Sequence, residues 1–169
     1  MQQYPLLMRT LHSLIATLVI AMIIMGWTLS EMDHEAAIKP TLKELHRTIG
    51  LLLFPLGLAQ LSAYLVLLKP AFVPMPHWQA TAARLVHWFL LAAVITIPVL
   101  GYFMSGDKLL VLGGWTVPAL IDLPKELRKT LFEAHEFLAY TTAAVVGLHV
   151  AGALKHYFID RDNTLKKMF

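Results

Sequence analysis

The sequence of 169 residues contains no cysteine. This absence excludes disulfides, thiolate catalysis, cysteine-bound zinc and iron–sulfur clusters built on this chain. It also excludes covalent haem attachment through a C-x-x-C-H motif. Imidazole is the strong metal ligand that remains, and the chain has eight histidines.

Charge is also scarce. Charged residues make up 15% of the sequence and hydrophobic residues 57%, whereas soluble domains have about 25% and about 45–50%. The net charge of +3 includes no dense Lys/Arg cluster of the kind that binds nucleic acid. A soluble domain of this size could not cover so much apolar surface, so the composition indicates a protein of the lipid bilayer.

Four windows contain no Asp, Glu, Lys or Arg, namely 10–30, 48–68, 85–106 and 137–154. A helix needs roughly 20 such residues to cross the hydrocarbon core. The sequence therefore predicts an all-α, integral membrane four-helix bundle that forms one domain over 1–169, with both termini on the same side. The expected spans are about 8–30, 42–68, 82–106 and 124–158.

A fifth apolar run, 109–121, is too short to span, and Gly113, Gly114 and Pro118 interrupt it. We expect it to form a loop at the membrane interface with Trp115 as an anchor.

Lysine and arginine do not decide the orientation, because seven lie on the side of the termini and seven on the far side. Of the acids, two lie on the terminal side and nine on the far side, which favours cytoplasmic termini weakly.

The histidines fall into two layers, because alternate helices run in opposite directions. The far layer holds His46 and His135, and the terminal-side layer holds His149 with either His12 or His87. Fourteen residues separate His135 from His149, a rise of about 21 Å with the side chains about 40° from eclipsed. This pattern predicts two haems stacked across the bilayer, each held by two imidazoles. Interhelical hydrogen bonding is the alternative, and the cost of buried ionisable groups makes it the weaker one.

Several residues close in sequence to these histidines allow two interpretations each. Gly50, Gly147 and Gly152 could leave room for a porphyrin or aid helix packing. Arg9, Arg47 and Lys155 could pair with haem propionates or snorkel to the membrane edge.

Several segments resemble the bacterial cytochrome b561 family of four-helix, di-haem membrane cytochromes. These are RTLHSL, ELHRTIGLLLF, ITIPVLGYFMSG, EAHEFLAYTTAAVVGLHVAGALKHYF and RDNTL, which extend over nearly the whole chain. The resemblance implies two non-covalent haem b groups, with axial ligand pairs His12/His149 and His46/His135. It thus selects His12 over His87. It also implies the bacterial cytoplasmic (inner) membrane, with cytoplasmic termini.

Within that family the chain is similar to superoxide oxidases, which pass electrons from superoxide to ubiquinone. An anionic substrate calls for basic guidance, and the candidates are Lys125, Arg128, Lys129 and Arg47, although a solvated helix face is a slightly better explanation of the first three. Quinone candidates on the terminal side are Arg84, His87, Trp88, His156 and Asp160, since an imidazole could hydrogen-bond a quinone oxygen and a nearby acid could deliver protons. Helix packing is at least as good an explanation of His87.

Two functions follow. The first is an enzyme that oxidises superoxide and reduces ubiquinone. The second is a haem relay subunit between the quinone pool and a partner dehydrogenase or periplasmic carrier. A transporter or structural membrane protein without a redox cofactor is a remote third.

Overall fold

The computed structural model describes residues 3–70, 74–106 and 108–168. Over these residues it contains four long helices, α1 (Leu6–Glu31), α2 (Lys39–Val66), α3 (His77–Phe103) and α4 (Lys125–Lys155). Each is long and apolar enough to cross a membrane. The predicted all-α four-helix membrane bundle is confirmed.

Prolines mark where the helices begin. Pro5, Pro76 and Pro124 directly precede α1, α3 and α4, and Pro40 lies in the first turn of α2. A proline costs no hydrogen bond there, because the first N–H groups of a helix have no intrahelical acceptor. Proline therefore stops the preceding segment and sets the helix start.

Consecutive helices pack against each other, whereas α1 and α4 make few direct contacts. The packing of α2 on α3 is closest at Gly57, where an added Cβ would lie 3.0 Å from side-chain carbons of Val94 and Ile95. Many large apolar side chains face outwards, among them Ile24 and Phe137. An outward apolar surface is what a helix bundle presents to lipid.

The segment expected to be an irregular interfacial loop is instead partly a β-hairpin. Strand β1 (Lys108–Leu110) pairs antiparallel with β2 (Thr116–Pro118). Gly113 and Gly114 take positive φ values of 85° and 77° in the turn, a conformation open to glycine at little cost. The Leu112 N–H donates to Thr48 Oγ1 at 2.9 Å, which ties the hairpin to α2. The two strands were not predicted because each has only three residues within a short apolar run.

The last helix is α-helical only to Lys155 and continues as a π-helical turn over His156–Asp160. Arg161 then reverses the chain with φ of 51°, and a 3₁₀ turn follows over Leu165–Lys167. The Tyr4 N–H donates to Lys167 O at 2.9 Å. Residues 161–168, which we call the terminal clasp, thus join the end of α4 to the start of α1 and place both termini at one end of the bundle.

Candidate functional site

The terminal-side layer brings together His12 of α1 and His149 of α4. Their ring centroids are 6.2 Å apart, with the ring planes inclined at 60°. The two helices that carry these rings make few contacts with each other, so the imidazoles face each other across a gap in the bundle.

The far layer brings together His46 of α2 and His135 of α4. Here the ring centroids are 6.4 Å apart and the planes are inclined at 64°. Both predicted pairs therefore meet, at two depths of the same helix α4.

These separations fit a metal ion between the rings. An imidazole–metal bond is about 2 Å long and the ring centre lies about 1 Å behind the nitrogen, so two rings on opposite sides of one ion have centroids about 6 Å apart. Direct ring contact would bring the centroids closer. Both pairs therefore have the spacing of two axial ligands of a haem iron.

His87 is also in the terminal-side layer, but its geometry differs. Its ring centroid is 5.0 Å from that of His149, and the planes are nearly perpendicular at 85°. This is a direct edge-to-face contact that leaves too little space for an iron. The geometry thus favours His12 as the partner of His149, in agreement with the resemblance.

A hydrogen bond to the backbone sets which nitrogen of His135 is available to a metal. Its Nδ1 lies 3.0 Å from Ile97 O, and since a carbonyl only accepts, Nδ1 must carry the proton and Nε2 has the free lone pair. The Nδ1 atoms of His12 and His46 are buried and have no partner among the described residues. Buried ring nitrogens without partners are expected where a bound group is part of the folded state.

Glycines make room for the far-layer rings. A Cβ on Gly101 of α3 would lie 3.2 Å from His135 Cε1, and a Cβ on Gly26 of α1 would lie 3.7 Å from His46 Cε1. Each imidazole therefore lies beside the backbone of a neighbouring helix, and only at Gly101 would an added Cβ be closer than an ordinary van der Waals contact.

We expect Gly101→Val to displace the His135 ring, because its methyl groups would occupy the space now filled by the imidazole. The far-side haem should be lost or become high-spin while the terminal-side haem stays low-spin, as measured by optical and electron paramagnetic resonance spectra. Gly147→Val is the matched control, because no described atom lies within 4 Å of its Cβ position. Equal effects of both substitutions would contradict the packing role of Gly101.

Three glycines were predicted to leave room for a porphyrin or to aid helix packing. Their surroundings in the structure differ. A Cβ added at Gly50 would lie 3.7 Å from Met22 Cε, so Gly50 is at the contact between α2 and α1. Gly147 and Gly152 have no described atom within 4 Å of their Cβ positions. Only Gly152 is near the face of His149, about 60° round the helix, so it is the one that fits the porphyrin interpretation.

The cations expected near propionates have other contacts. The Arg9 Nε donates to Met168 O at 3.3 Å and its Nη1 to Gln3 Oε1 at 2.7 Å. The Lys155 ammonium lies 2.6 Å from an Asp160 carboxylate oxygen. Arg9 therefore secures the terminal clasp, and Lys155 secures the end of α4.

The three predicted guide cations of α4 are not one open cluster. The Lys129 ammonium lies 3.9 Å from Glu133, and the Arg128 guanidinium lies against Gly106. Lys125 is exposed at the start of the helix. Such surface pairs contribute little energy, but they reduce the local positive field.

A more basic cavity lies beside the far layer, between the start of α2 and the hairpin. Its volume is about 230 Å³. It contains the predicted Arg47, directly after His46, and is otherwise lined by His34, Lys39, Pro40, Lys43, Glu44 and Leu110. Lys39 is 6% exposed and its ammonium donates to Met32 O. Of the lining residues, only Arg47 was a candidate from the sequence, because the cavity forms only where the hairpin meets α2.

The quinone candidates fall into three groups. His87 is in the terminal-side layer, and Trp88 contacts Tyr64 of α2 with ring centroids 5.3 Å apart. Arg84 is exposed and bonds to Ala80 O within its own helix. His156 lies apart from these, at the end of α4.

His156 forms a polar cluster with two acids. Its Nδ1 lies 2.7 Å from Asp162 and 3.2 Å from Asp160, and Asp162 also accepts from the Thr164 N–H at 2.8 Å. Partial burial tends to raise the pKa of Asp162, but the hydrogen bonds of Thr164 and His156 outweigh it and lower the pKa below its usual value. Asp162 is therefore ionised at neutral pH.

Two buried polar side chains, Gln60 and Thr142, were not among the candidates identified from the sequence. Gln60 follows His46 by the same fourteen residues that separate His135 from His149, and its Oε1 is buried without a partner among the described residues. Thr142 lies midway between His135 and His149 and is 4% exposed, and its hydroxyl likewise has no described partner. The repeated spacing of fourteen was the signal that could have identified Gln60.

Comparison with known proteins decides the family. The sequence profile described as prokaryotic cytochrome b561 matches residues 3–169. The chain belongs to this family. As a prokaryotic cytochrome b561, it is a multi-pass bacterial membrane protein that binds haem b and transfers electrons.

Curated relatives of this cytochrome b561 cover most of its length. It is 33% identical to cytochrome b561 homolog 2 of Escherichia coli (strain K12), over 99% of the chain and 91% of that protein. It is 27% identical to the probable superoxide oxidase CybB of Yersinia pestis, over 89% of each. It is also 29% identical to cytochrome b561 homolog 1 of E. coli, over 75% of the chain and 74% of that protein.

Proposed function

We propose that this cytochrome b561 holds two haem b groups and carries electrons from superoxide on the far side to ubiquinone on the terminal side. The observation that carries the proposal is the pair of histidine contacts with ring centroids 6.2 Å and 6.4 Å apart, at two depths of one bundle. The similarity to a probable superoxide oxidase supports the choice of substrate. The whole of 1–169 would act as one membrane domain.

The balance of the reaction is simple. Two superoxide anions each lose one electron and become dioxygen, and ubiquinone takes up these two electrons and two protons to give ubiquinol. A haem held by two of these imidazoles would supply a one-electron couple and would offer no open iron position to a substrate. The protein's own contribution is then to hold the imidazoles, guide the anion and supply the protons.

The basic cavity on the far side supports an anionic substrate. It combines the cations Lys39, Lys43 and Arg47 with the single acid Glu44. Arg47 adjoins the ligand candidate His46 in sequence, so an anion attracted here arrives beside the far layer. The field of such a cavity raises the local anion concentration and the association rate. We propose this cavity, rather than Lys125, Arg128 and Lys129, as the principal guide.

The polar side chains at the depth of the terminal-side layer support quinone as the electron acceptor. Two polar side chains that are not ligand candidates, Gln60 and His87, lie at or near its depth, whereas glycines line the far layer. A quinone ring offers two carbonyl acceptors, and its reduction requires proton donors near them. We propose that Gln60 and His87 face this ring, and that His156, held by the ionised Asp162, relays protons from the terminal side. This assignment places the termini in the cytoplasm and the protein in the cytoplasmic membrane.

The test is to mix purified oxidised protein with a superoxide-generating system and follow the haem absorption bands. We expect rapid haem reduction that superoxide dismutase abolishes, followed by continuous turnover when a soluble ubiquinone is added. The His135→Ala variant is the control and should show neither. Reduction only after a dehydrogenase or periplasmic carrier is added would instead support an electron-relay subunit.

A further inference from the structure

A shallow depression opens on the terminal face of the protein, away from both histidine pairs. Its volume is about 340 Å³, and it is lined by Tyr157, Phe158, Arg161, Asp162 and Lys166. The first two residues belong to the π-helical turn and the others to the terminal clasp. Of the lining residues, the electron-transfer proposal uses only Asp162, which holds His156.

Its two cations, Arg161 and Lys166, differ from the nearby Lys155 in their surroundings. In the described parts of the chain no carboxylate pairs with Arg161 or Lys166, whereas Lys155 lies 2.6 Å from Asp160. The acid of the depression, Asp162, is already engaged by His156 at 2.7 Å and by the Thr164 N–H at 2.8 Å. A net positive charge is therefore left facing the depression.

The cations are held in place rather than carried on a loose tail. Lys166 O accepts from the Gln3 side-chain amide at 3.2 Å, and Lys167 O accepts from the Tyr4 N–H at 2.9 Å. Arg161 occupies the left-handed region with φ of 51°, where only the surrounding contacts hold a non-glycine residue. Because the backbone is fixed, an anion bound here loses little energy to ordering of the site.

The depression lies where a membrane-spanning helix leaves the bilayer. The apolar helical stretch that begins at Lys125 ends at Asp160, and Tyr157 and Phe158 are 49% and 64% exposed beside it. Aromatic side chains favour the level of the lipid headgroups. A ligand for this position has to combine an anion with an apolar body.

We propose that the depression binds the phosphate of an anionic membrane lipid from the leaflet on the terminal side. Arg161 matches a phosphate with paired N–H donors, and Lys166 adds a point charge. Tyr157 and Phe158 lie where the glycerol and the first methylenes of the lipid would pass. The shared chemistry is a phosphate monoanion, which a lipid presents at the required depth and free phosphate does not.

The test is native mass spectrometry of the haem-loaded protein, titrated with phosphatidylglycerol, phosphatidylcholine or inorganic phosphate. Wild-type protein should retain one phosphatidylglycerol at concentrations where phosphatidylcholine is not retained. The Arg161→Gln/Lys166→Gln variant should need at least about tenfold more phosphatidylglycerol for equal occupancy. Lys125→Gln/Lys129→Gln is the matched control, with two cations removed from the opposite face, and should bind like wild type.

Unchanged retention in the Arg161/Lys166 variant would overturn the proposal, as would equal retention of both lipids. Displacement of the lipid by millimolar inorganic phosphate would show a free-phosphate site and would also overturn it. If the double variant loses its haem spectrum, the charge-retaining Lys166→Arg and the single Lys166→Gln variants replace it, and only the latter should weaken binding. None of these outcomes depends on superoxide or quinone.

Discussion

The His135→Ala variant is expected to bind one haem instead of two, and so is His149→Ala. Each substitution removes one of two proposed ligands from a pair whose ring centroids are 6.4 Å or 6.2 Å apart, and a single remaining imidazole would hold a haem weakly or in a high-spin state. The double variant should bind none. The measurement is the haem-to-protein ratio from the pyridine haemochrome, together with the split of the reduced α-band.

The same experiment distinguishes the two candidates for the partner of His149. His12→Ala should behave like His149→Ala, whereas His87→Ala should keep both haems low-spin, because its 5.0 Å contact with His149 leaves no space for an iron. His34→Ala is a control outside both layers. Loss of haem from His87→Ala but not from His12→Ala would contradict the ligand assignment.

Much of this arrangement could be predicted from the sequence because it depends on helix periodicity alone. Long windows without charge fix the number of helices, and the spacing from His135 to His149 returns the side chain to nearly the same face at a second depth. Alternating helix directions then bring His46 to one depth and His12 to the other. The closeness of each pair in the structure follows from these rules without knowledge of side-chain packing.

The features that could not be predicted from the sequence depend on contacts between segments that are far apart in the chain. His12 is favoured over His87 because its ring centroid is 6.2 Å from that of His149, whereas that of His87 is only 5.0 Å away. The angular position of a residue around its helix cannot resolve this difference. The contact of Arg9 with the end of the chain, where Met168 O is 3.3 Å from Arg9 Nε, could not be predicted either, and its pairing with a propionate stays a prediction. The basic cavity needs the hairpin beside α2, and the hairpin itself was hidden in a short apolar run.

The two layers differ in a way that relates to their proposed tasks. Glycines Gly26 and Gly101 border the far-layer imidazoles, and the backbone Ile97 O lies 3.0 Å from His135 Nδ1. The terminal-side layer instead adds His87 against His149, and Gln60 at the same depth. Electron transfer alone needs no polar neighbours, whereas quinone reduction needs protons and hydrogen-bond donors. The asymmetry therefore supports reduction of quinone on the terminal side.

Charge reversal in the basic cavity should slow the reaction with superoxide. Lys43 is exposed at the start of α2, one turn before Arg47, and lines the cavity beside the far layer. We expect Lys43→Glu to lower the second-order rate constant of haem reduction by about tenfold at low ionic strength, because the cavity then repels the anion it should attract. Stopped-flow absorption at several salt concentrations measures this, and the difference from wild type should shrink as salt screens the field.

The control for Lys43→Glu is Lys125→Glu/Lys129→Glu, which reverses two charges at the start of α4. Lys129 already lies 3.9 Å from Glu133, so its positive field is partly cancelled, and the variant should retain most of the wild-type rate. Both variants should keep two low-spin haems, since neither changes a histidine or its glycine neighbour. A slow Lys125/Lys129 variant beside a fast Lys43 variant would mean that superoxide arrives along α4, and the basic cavity would then have no part in guiding it.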